Sequence, residues 1–160
     1  MGIYATALSQ ARLTEPPPED DEGGEPDNVC SFVPCEDGPR LDSLEEGYYV
    51  TEGRCHSFQA GTTSGYCQWC DGLCEIADLH QPLGYSADER IPFSELINCG
   101  TFGGFGPITA AKLLGDFRKC EKVAKKYFRQ KKDRRWMIQV YDDHLKALEI
   151  AADDGCFMVY

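Results

Sequence analysis

The chain has 160 residues, of which 42% are hydrophobic and 27% charged, and its formal net charge is −11. This balance is typical of a globular protein with a core and unlike that of disordered or fibrous chains. The negative charge disfavours general binding to nucleic acid, because phosphate groups repel it. No stretch reaches the roughly 20 apolar residues of a membrane span, and the start lacks the basic region of a secretory signal, so we expect a cytoplasmic protein without membrane contact.

Charge is distributed unevenly along the chain. The first 52 residues contain 13 Asp or Glu but only two Arg, whereas residues 118–135, the basic segment, contain ten Lys or Arg and only two acidic residues. Residues 14–28 combine acidic side chains with four prolines, three of them consecutive, which excludes a helix or a paired strand. We therefore expect residues 14–28 to form an acidic, flexible loop.

Strand signals dominate the first 60 residues. Short runs that are rich in β-branched and aromatic side chains predict four strands in this part of the chain. Between the last two of them, Glu52-Gly53 has the composition of a hairpin turn. The four predicted strands are 3–8, 29–33, 47–51 and 54–59.

Helical periodicity dominates the rest of the chain, where apolar residues recur at spacings of three and four. Ser64 is placed to cap the first helix, Pro107 suits the first turn of the second, and Gly155 ends the third. A strand over 156–160 follows, and this order predicts a single α+β domain over 1–160, with a mainly antiparallel sheet and three helices. The predicted helices are 65–78, 107–128 and 134–152, with a helical turn at 93–97.

Three segments of the second half, FQAGTTSGYCQW, PFSELINCGTFGGFGPITAAKLLGDF and ALEIAADDGCFMVY, together resemble a family of small uncharacterised bacterial and phage proteins. The resemblance covers roughly residues 54–160 and implies a shared fold unit but no activity. Where the family tends to have a Ser-Asp-Cys-Glu-Gly loop, this chain differs over 99–104. The matching positions are Ala60, Gly61, Ser64, Gly65, Tyr66, Trp69, Pro92, Phe93, Glu95, Leu96, Ile97, Asn98, Gly106, Pro107, Ala111, Lys112, Leu113, Asp116, Phe117, Ala151, Ala152, Asp153 and Gly155.

Nine cysteines suggest a metal site as one hypothesis. Cys67 and Cys70 form a CxxC motif, which places two sulfurs on one ion, and Cys55 and Cys74 would complete a tetrahedral zinc site. A second interpretation needs no metal, because positions 67, 70 and 74 share one face of a helix and pack there as ordinary thiols. No other cofactor is indicated.

A cysteine-dependent enzyme is a further alternative. Cys55-His56 has the residue types of a nucleophile and a base, but neighbours on a strand point to opposite faces. The base would therefore come from elsewhere, from His80 or His144. His144 lies on the apolar stripe of the last predicted helix, which favours a core histidine.

The glycine-rich loop over 99–106 precedes a helix N-terminus, where anions bind readily, but it lacks the Gly-Lys-Ser/Thr ending of a phosphate-binding loop. A tight structural turn is one interpretation of this loop. The other is that Phe102 and Phe105 anchor a protein partner. The acidic residues Glu19, Asp20, Asp21 and Glu22 form a block of like charge that suits contact with a basic protein.

The absence of a decisive catalytic motif, the acidity and the small size favour a non-catalytic binding protein. We expect it to act through protein–protein contacts, as an inhibitor or immunity-type factor in bacterial or phage conflict. One alternative is a zinc-stabilised module that binds nucleic acid through the basic segment or acts as a regulator. The other is the cysteine-dependent enzyme.

Overall fold

A computed structural model describes residues 2–17, 28–35, 42, 44–80 and 90–160. These residues form two antiparallel sheets and four helices, which confirms the predicted α+β class. The strands are β1 (Gly2–Leu8), β2 (Arg12–Thr14), β3 (Val29–Phe32), β4 (Gly47–Val50), β5 (Cys55–Thr62), β6 (Gly103–Phe105) and β7 (Cys156–Val159). The helices are α1 (Thr63–His80), α2 (Ser94–Cys99), α3 (Pro107–Phe128) and α4 (Arg134–Ala151).

The main sheet has the strand order β5-β1-β7-β6, and its helices pack on one face. Side chains alternate along β1, so that Ile3, Ala5 and Ala7 join the core beneath the helices. Trp69 and Phe117 are fully buried in the same core. Because the helices cover this face of the main sheet, the opposite face remains for contacts with other parts of the chain or with a partner.

The second sheet has the order β2-β4-β3 and packs against the opposite face of the main sheet. Cys30 and Phe32 of β3 contact Leu8 and Met158, which point away from the helices. The sequence did not predict β2. The predicted loop over 14–28 lies mostly outside the described residues.

The predicted hairpin at Glu52-Gly53 is wrong, because β4 and β5 belong to different sheets. The chain changes sheet beside Ser9, whose carbonyl accepts a hydrogen bond from the Thr51 hydroxyl. The Ser9 hydroxyl accepts another from the Arg54 amide at 2.7 Å. These hydrogen bonds, between residues that are far apart in the sequence, fix the point at which the chain passes from one sheet to the other.

The helix ends differ in detail from the prediction. Thr62, not Ser64, accepts a hydrogen bond from the Gly65 amide at 3.2 Å and caps α1. After α4, Asp154 takes the left-handed conformation with φ of 50°. Gly155 serves close packing instead, because a Cβ there would lie 1.8 Å from the Leu8 carbonyl oxygen.

The predicted helical turn at 93–97 is the short helix α2, and the glycine-rich loop contributes an unpredicted strand, β6. Within the described ranges, no helix combines the length and apolar character that crossing a membrane requires.

Candidate functional site

One part of the main sheet is covered by neither the described helices nor the second sheet. We call it the open face and define it by the exposed residues Tyr4, Ser57, Gln59 and Tyr160, with Thr6 buried between them. Cross-strand register places these side chains together, since Tyr4 pairs with Gln59 and Thr6 with Ser57. Tyr160 exchanges backbone hydrogen bonds with Tyr4 at 2.7 and 2.9 Å, which extends the ladder of β7 to this end of the sheet.

Hydroxyl groups tie the open face together. Thr6 Oγ1 lies 2.8 Å from Ser57 Oγ and 3.1 Å from the Tyr160 hydroxyl. The Tyr160 ring also stacks on Tyr4, with centroids 6.2 Å apart. Both rings keep nearly half of their surface exposed, at 45% for Tyr4 and 47% for Tyr160. The two aromatic side chains are therefore positioned before any partner binds.

A groove runs beside the open face, where β3 of the second sheet meets β7. This junction groove has a volume of about 210 Å³. Pockets for small-molecule ligands usually measure about 300–1,000 Å³, so the junction groove suits a single large side chain better than a whole ligand. The groove is lined by Thr6, Val29, Cys30, Ser31, Val33, Phe102, Met158 and Tyr160.

Two buried thiols lie under the junction groove. Cys30 lines it and forms a hydrogen bond with Cys156, and this contact together with burial raises the pKa of the Cys156 thiol. Met158 packs in the same cluster. The lining is therefore uncharged and combines these apolar groups with the polar side chains of Thr6, Ser31 and Tyr160, which suits a large uncharged group.

The structure separates the two phenylalanines that were predicted as partner anchors. Phe102 is 58% exposed at the rim of the junction groove. Phe105 is buried and stacks on Phe157 with centroids 6.2 Å apart, so its ring is not at the surface. The acidic residues predicted to bind a partner, Glu19, Asp20, Asp21 and Glu22, lie outside the described residues.

The junction groove is built partly from the acidic region of the chain. Residues 1–52 contain 13 acidic and two basic residues, and the remainder contains 14 of each, so the whole net charge belongs to the first third. The acidic run ends at Asp27, which only Asn28 separates from the groove residue Val29. The groove residues of β3 therefore follow the acidic run directly in the sequence.

The four cysteines of the zinc hypothesis are spread over two elements. Cys67, Cys70 and Cys74 lie on α1, and Cys55 begins β5. Burial raises the pKa of Cys70 to about 12, which disfavours the thiolate that zinc requires. No group of three or more His, Cys, Asp or Glu in the described ranges is arranged to hold a metal ion. Zinc binding stays a prediction for metal analysis.

The helix N-terminus after the glycine-rich loop already holds an anion, the carboxylate of Asp42. Its two oxygens accept hydrogen bonds from the Gly106 amide at 3.1 Å and the Thr109 amide at 2.8 Å. The Thr109 hydroxyl adds a third, at 3.1 Å. Asp42 therefore occupies the anion site that the sequence indicated at the start of α3.

The basic segment consists of paired and unpaired cations. Arg118 pairs with Glu149 at 3.3 Å and Lys125 with Asp142 at 2.8 Å. An outer row of α3 is exposed and has no ion pair with any described residue. That row comprises Lys119, Lys122 and Lys126, and Arg129 continues it just beyond the helix. Binding of nucleic acid through this segment stays a prediction.

The described histidines do not form a cysteine–histidine pair. His144 is fully buried, and its ring stacks on Trp69 with centroids 4.4 Å apart. His56 faces the helices and lies 3.5 Å from Asp143, whereas Cys55 pairs with Leu8 on the other face of the sheet. The side chain of His80 lies outside what the structure describes.

Comparisons with known proteins leave the chain without an established relative. No protein family matches it, and neither does any curated protein or solved structure. These comparisons do not confirm the resemblance to the bacterial and phage family. The open face and the junction groove are therefore the features from which we infer a function.

Proposed function

We propose that this chain is a non-catalytic binding protein that engages a partner protein through the junction groove and the open face. The observation that carries the proposal is the groove itself, with exposed Phe102 and Tyr160 at its rim. Protein interfaces concentrate their binding free energy in aromatic residues beside such pockets. The groove then receives one large apolar side chain of the partner.

The charge of the chain supports a basic partner. The acidic third of the chain supplies β3, and its field attracts cations and speeds their encounter with the groove. We infer that the partner presents Lys or Arg around its apolar side chain. Occupying such a surface would block it for other ligands, which is how a small acidic protein acts as an inhibitor.

Affinity capture with matched variants tests this proposal. The full chain serves as bait in lysate of the native cell, beside Phe102→Ser and a control, Val123→Ser. Val123 is also exposed, at 38%, but it lies on α3, on the helical side of the main sheet. We expect a basic protein that the wild type and Val123→Ser both retain and Phe102→Ser loses.

A second variant tests the charge. Changing Glu19, Asp20, Asp21 and Glu22 to their amides removes four negative charges at positions outside the described strands. The proposal requires weaker capture by this variant and a loss of wild-type capture as salt concentration rises. Equal capture by wild type and Phe102→Ser would exclude the junction groove as the binding site.

A further inference from the structure

The strand β5 forms one edge of the main sheet. It pairs with β1 on one side, and no strand in the described part of the chain pairs with its other side. Alternate residues of an antiparallel edge strand direct their amide and carbonyl groups away from the sheet. The regular stretch is 55–59, because the register with β1 shifts just beyond it.

The fold protects the opposite edge of the same sheet. The strand β6 has only three residues, and Pro34 forms a bridge to Gly104 beside it. The Cys35 amide donates a hydrogen bond to the Gly104 carbonyl at 3.1 Å. Among the described residues, nothing equivalent is seen beside β5.

The sequence of β5 also lacks the features by which edge strands resist pairing. It contains no Pro, Lys, Arg, Asp or Glu. Cys55, Ser57 and Gln59 are exposed and uncharged, and they lie beyond the acidic third of the chain. Charged side chains and prolines are the usual protection of an edge strand, so this edge accepts a further strand.

We propose that two copies of this chain associate through the outer edges of their β5 strands, antiparallel across a two-fold axis. The strand is a suitable partner for itself, because an antiparallel two-fold arrangement sets identical edges against each other. If Ser57 lies on the axis, Cys55 of each copy faces Gln59 of the other. Only a short stretch pairs, so we expect a weak, concentration-dependent dimer.

Charge swapping at these positions tests the proposal. One variant carries Cys55→Lys with Gln59→Lys, and a second carries Cys55→Glu with Gln59→Glu. If the two-fold axis lies anywhere between residues 55 and 59, the charged side chains of one copy lie opposite or diagonal to the like-charged side chains of the other copy. These like-charge contacts disfavour pairing. The control adds the same positive charges on the helices, by Cys67→Lys with Val123→Lys, at two exposed positions.

Sedimentation equilibrium of the full chain gives the readout, with circular dichroism to verify folding. We expect the wild type and the control to rise from 17.9 kDa towards twice that mass as concentration increases. Each charged variant stays monomeric alone, and an equimolar mixture of the two associates again. A wild type that remains monomeric into the millimolar range would overturn the proposal, as would charged variants that dimerise like the wild type.

The β5 proposal does not depend on the proposed function. No residue of β5 lines the junction groove and Phe102 does, although Ser57 and Gln59 of β5 also belong to the open face. Phe102→Ser therefore leaves dimerisation unchanged, and a failed capture experiment says nothing about the β5 edge.

Discussion

Tyr4 and Tyr160 stack on the open face with ring centroids 6.2 Å apart, although each ring keeps almost half of its surface exposed. Exposed aromatic rings that are already packed against each other lose little freedom when a partner binds. Thr6 contributes to this order, because its hydroxyl contacts that of Tyr160 at 3.1 Å. The open face is therefore preorganised for partner binding, and it lies beside the junction groove.

The buried His144 makes stability depend on pH. Burial lowers its pKa to about 4, from an ordinary value of 6.5. Between these values the unfolded chain binds a proton that the folded chain excludes, so stability is complete above pH 6.5 and falls as pH drops towards 4. The loss for this group alone amounts to about 3 kcal/mol.

Urea unfolding at a series of pH values measures this effect. His144→Phe, which keeps an aromatic ring beside Trp69, serves as the comparison. We expect the free energy of unfolding to fall less between pH 6.5 and 4 in the variant than in the wild type. Identical slopes would contradict a neutral, buried His144.

Asp42 holds the start of α3 through its three hydrogen bonds to Gly106 and Thr109. Asp42→Ala leaves these donors unsatisfied and removes a negative charge from the helix N-terminus. We expect a loss of about 1–2 kcal/mol in the free energy of unfolding. Asp42→Asn keeps an acceptor and should lose less; denaturant unfolding that ranks the two variants equally would argue against the capping role.

Lys112 neutralises a buried carboxylate between α2 and α3. Its ammonium lies 2.5 Å from the fully buried Glu95 and 2.9 Å from Asp116. Burial raises the pKa of Glu95, and Lys112 counteracts that rise. Lys112→Met should destabilise the fold by about 3–5 kcal/mol, because the carboxylate remains buried without its partner.

The double variant Glu95→Gln with Lys112→Met provides the control for that prediction. Since it removes both members of the pair, it should recover part of the stability in guanidinium unfolding. A double variant as unstable as the sum of the two single changes would show that Lys112 and Glu95 act independently.

The thiols should differ widely in reactivity. Cys55 and Cys67 are exposed, whereas burial raises the pKa of Cys70 to about 12 and that of Cys120 to about 11. We expect iodoacetamide to label Cys55 and Cys67 first, as read by peptide mass spectrometry. Labelling that starts only after a chelator is added would instead support zinc on these cysteines.

The helices could be predicted from the sequence because their evidence is local. Spacings of three and four, with Pro107 at the start, placed α3 at the residues where it lies. The division of the strands into two sheets could not be predicted in this way. Nothing near Glu52-Gly53 reveals that β4 pairs with β2 and β3, because Ser9 directs that crossing from a distant part of the chain.

Of the residues that form the open face and the junction groove, only Phe102 was predicted from the sequence as a partner-binding residue. Phe105 looked equivalent, but it lies on β6 and points into the core. Tyr4 and Thr6 were missed as site residues, although alternation along β1 already sets them on the face opposite Ala5. The sequence alone does not show where the second sheet packs. That sheet leaves one part of this face uncovered, and the groove forms where it meets the main sheet.

Peptide-display selection on the immobilised full chain, with parallel selection on Phe102→Ser, tests most directly whether the junction groove binds a partner. We expect the wild type alone to enrich peptides with one large apolar side chain flanked by Lys or Arg. These peptides should compete with one another and lose affinity as salt concentration rises. Enrichment of the same peptides on Phe102→Ser, or of acidic peptides on the wild type, would contradict this expectation.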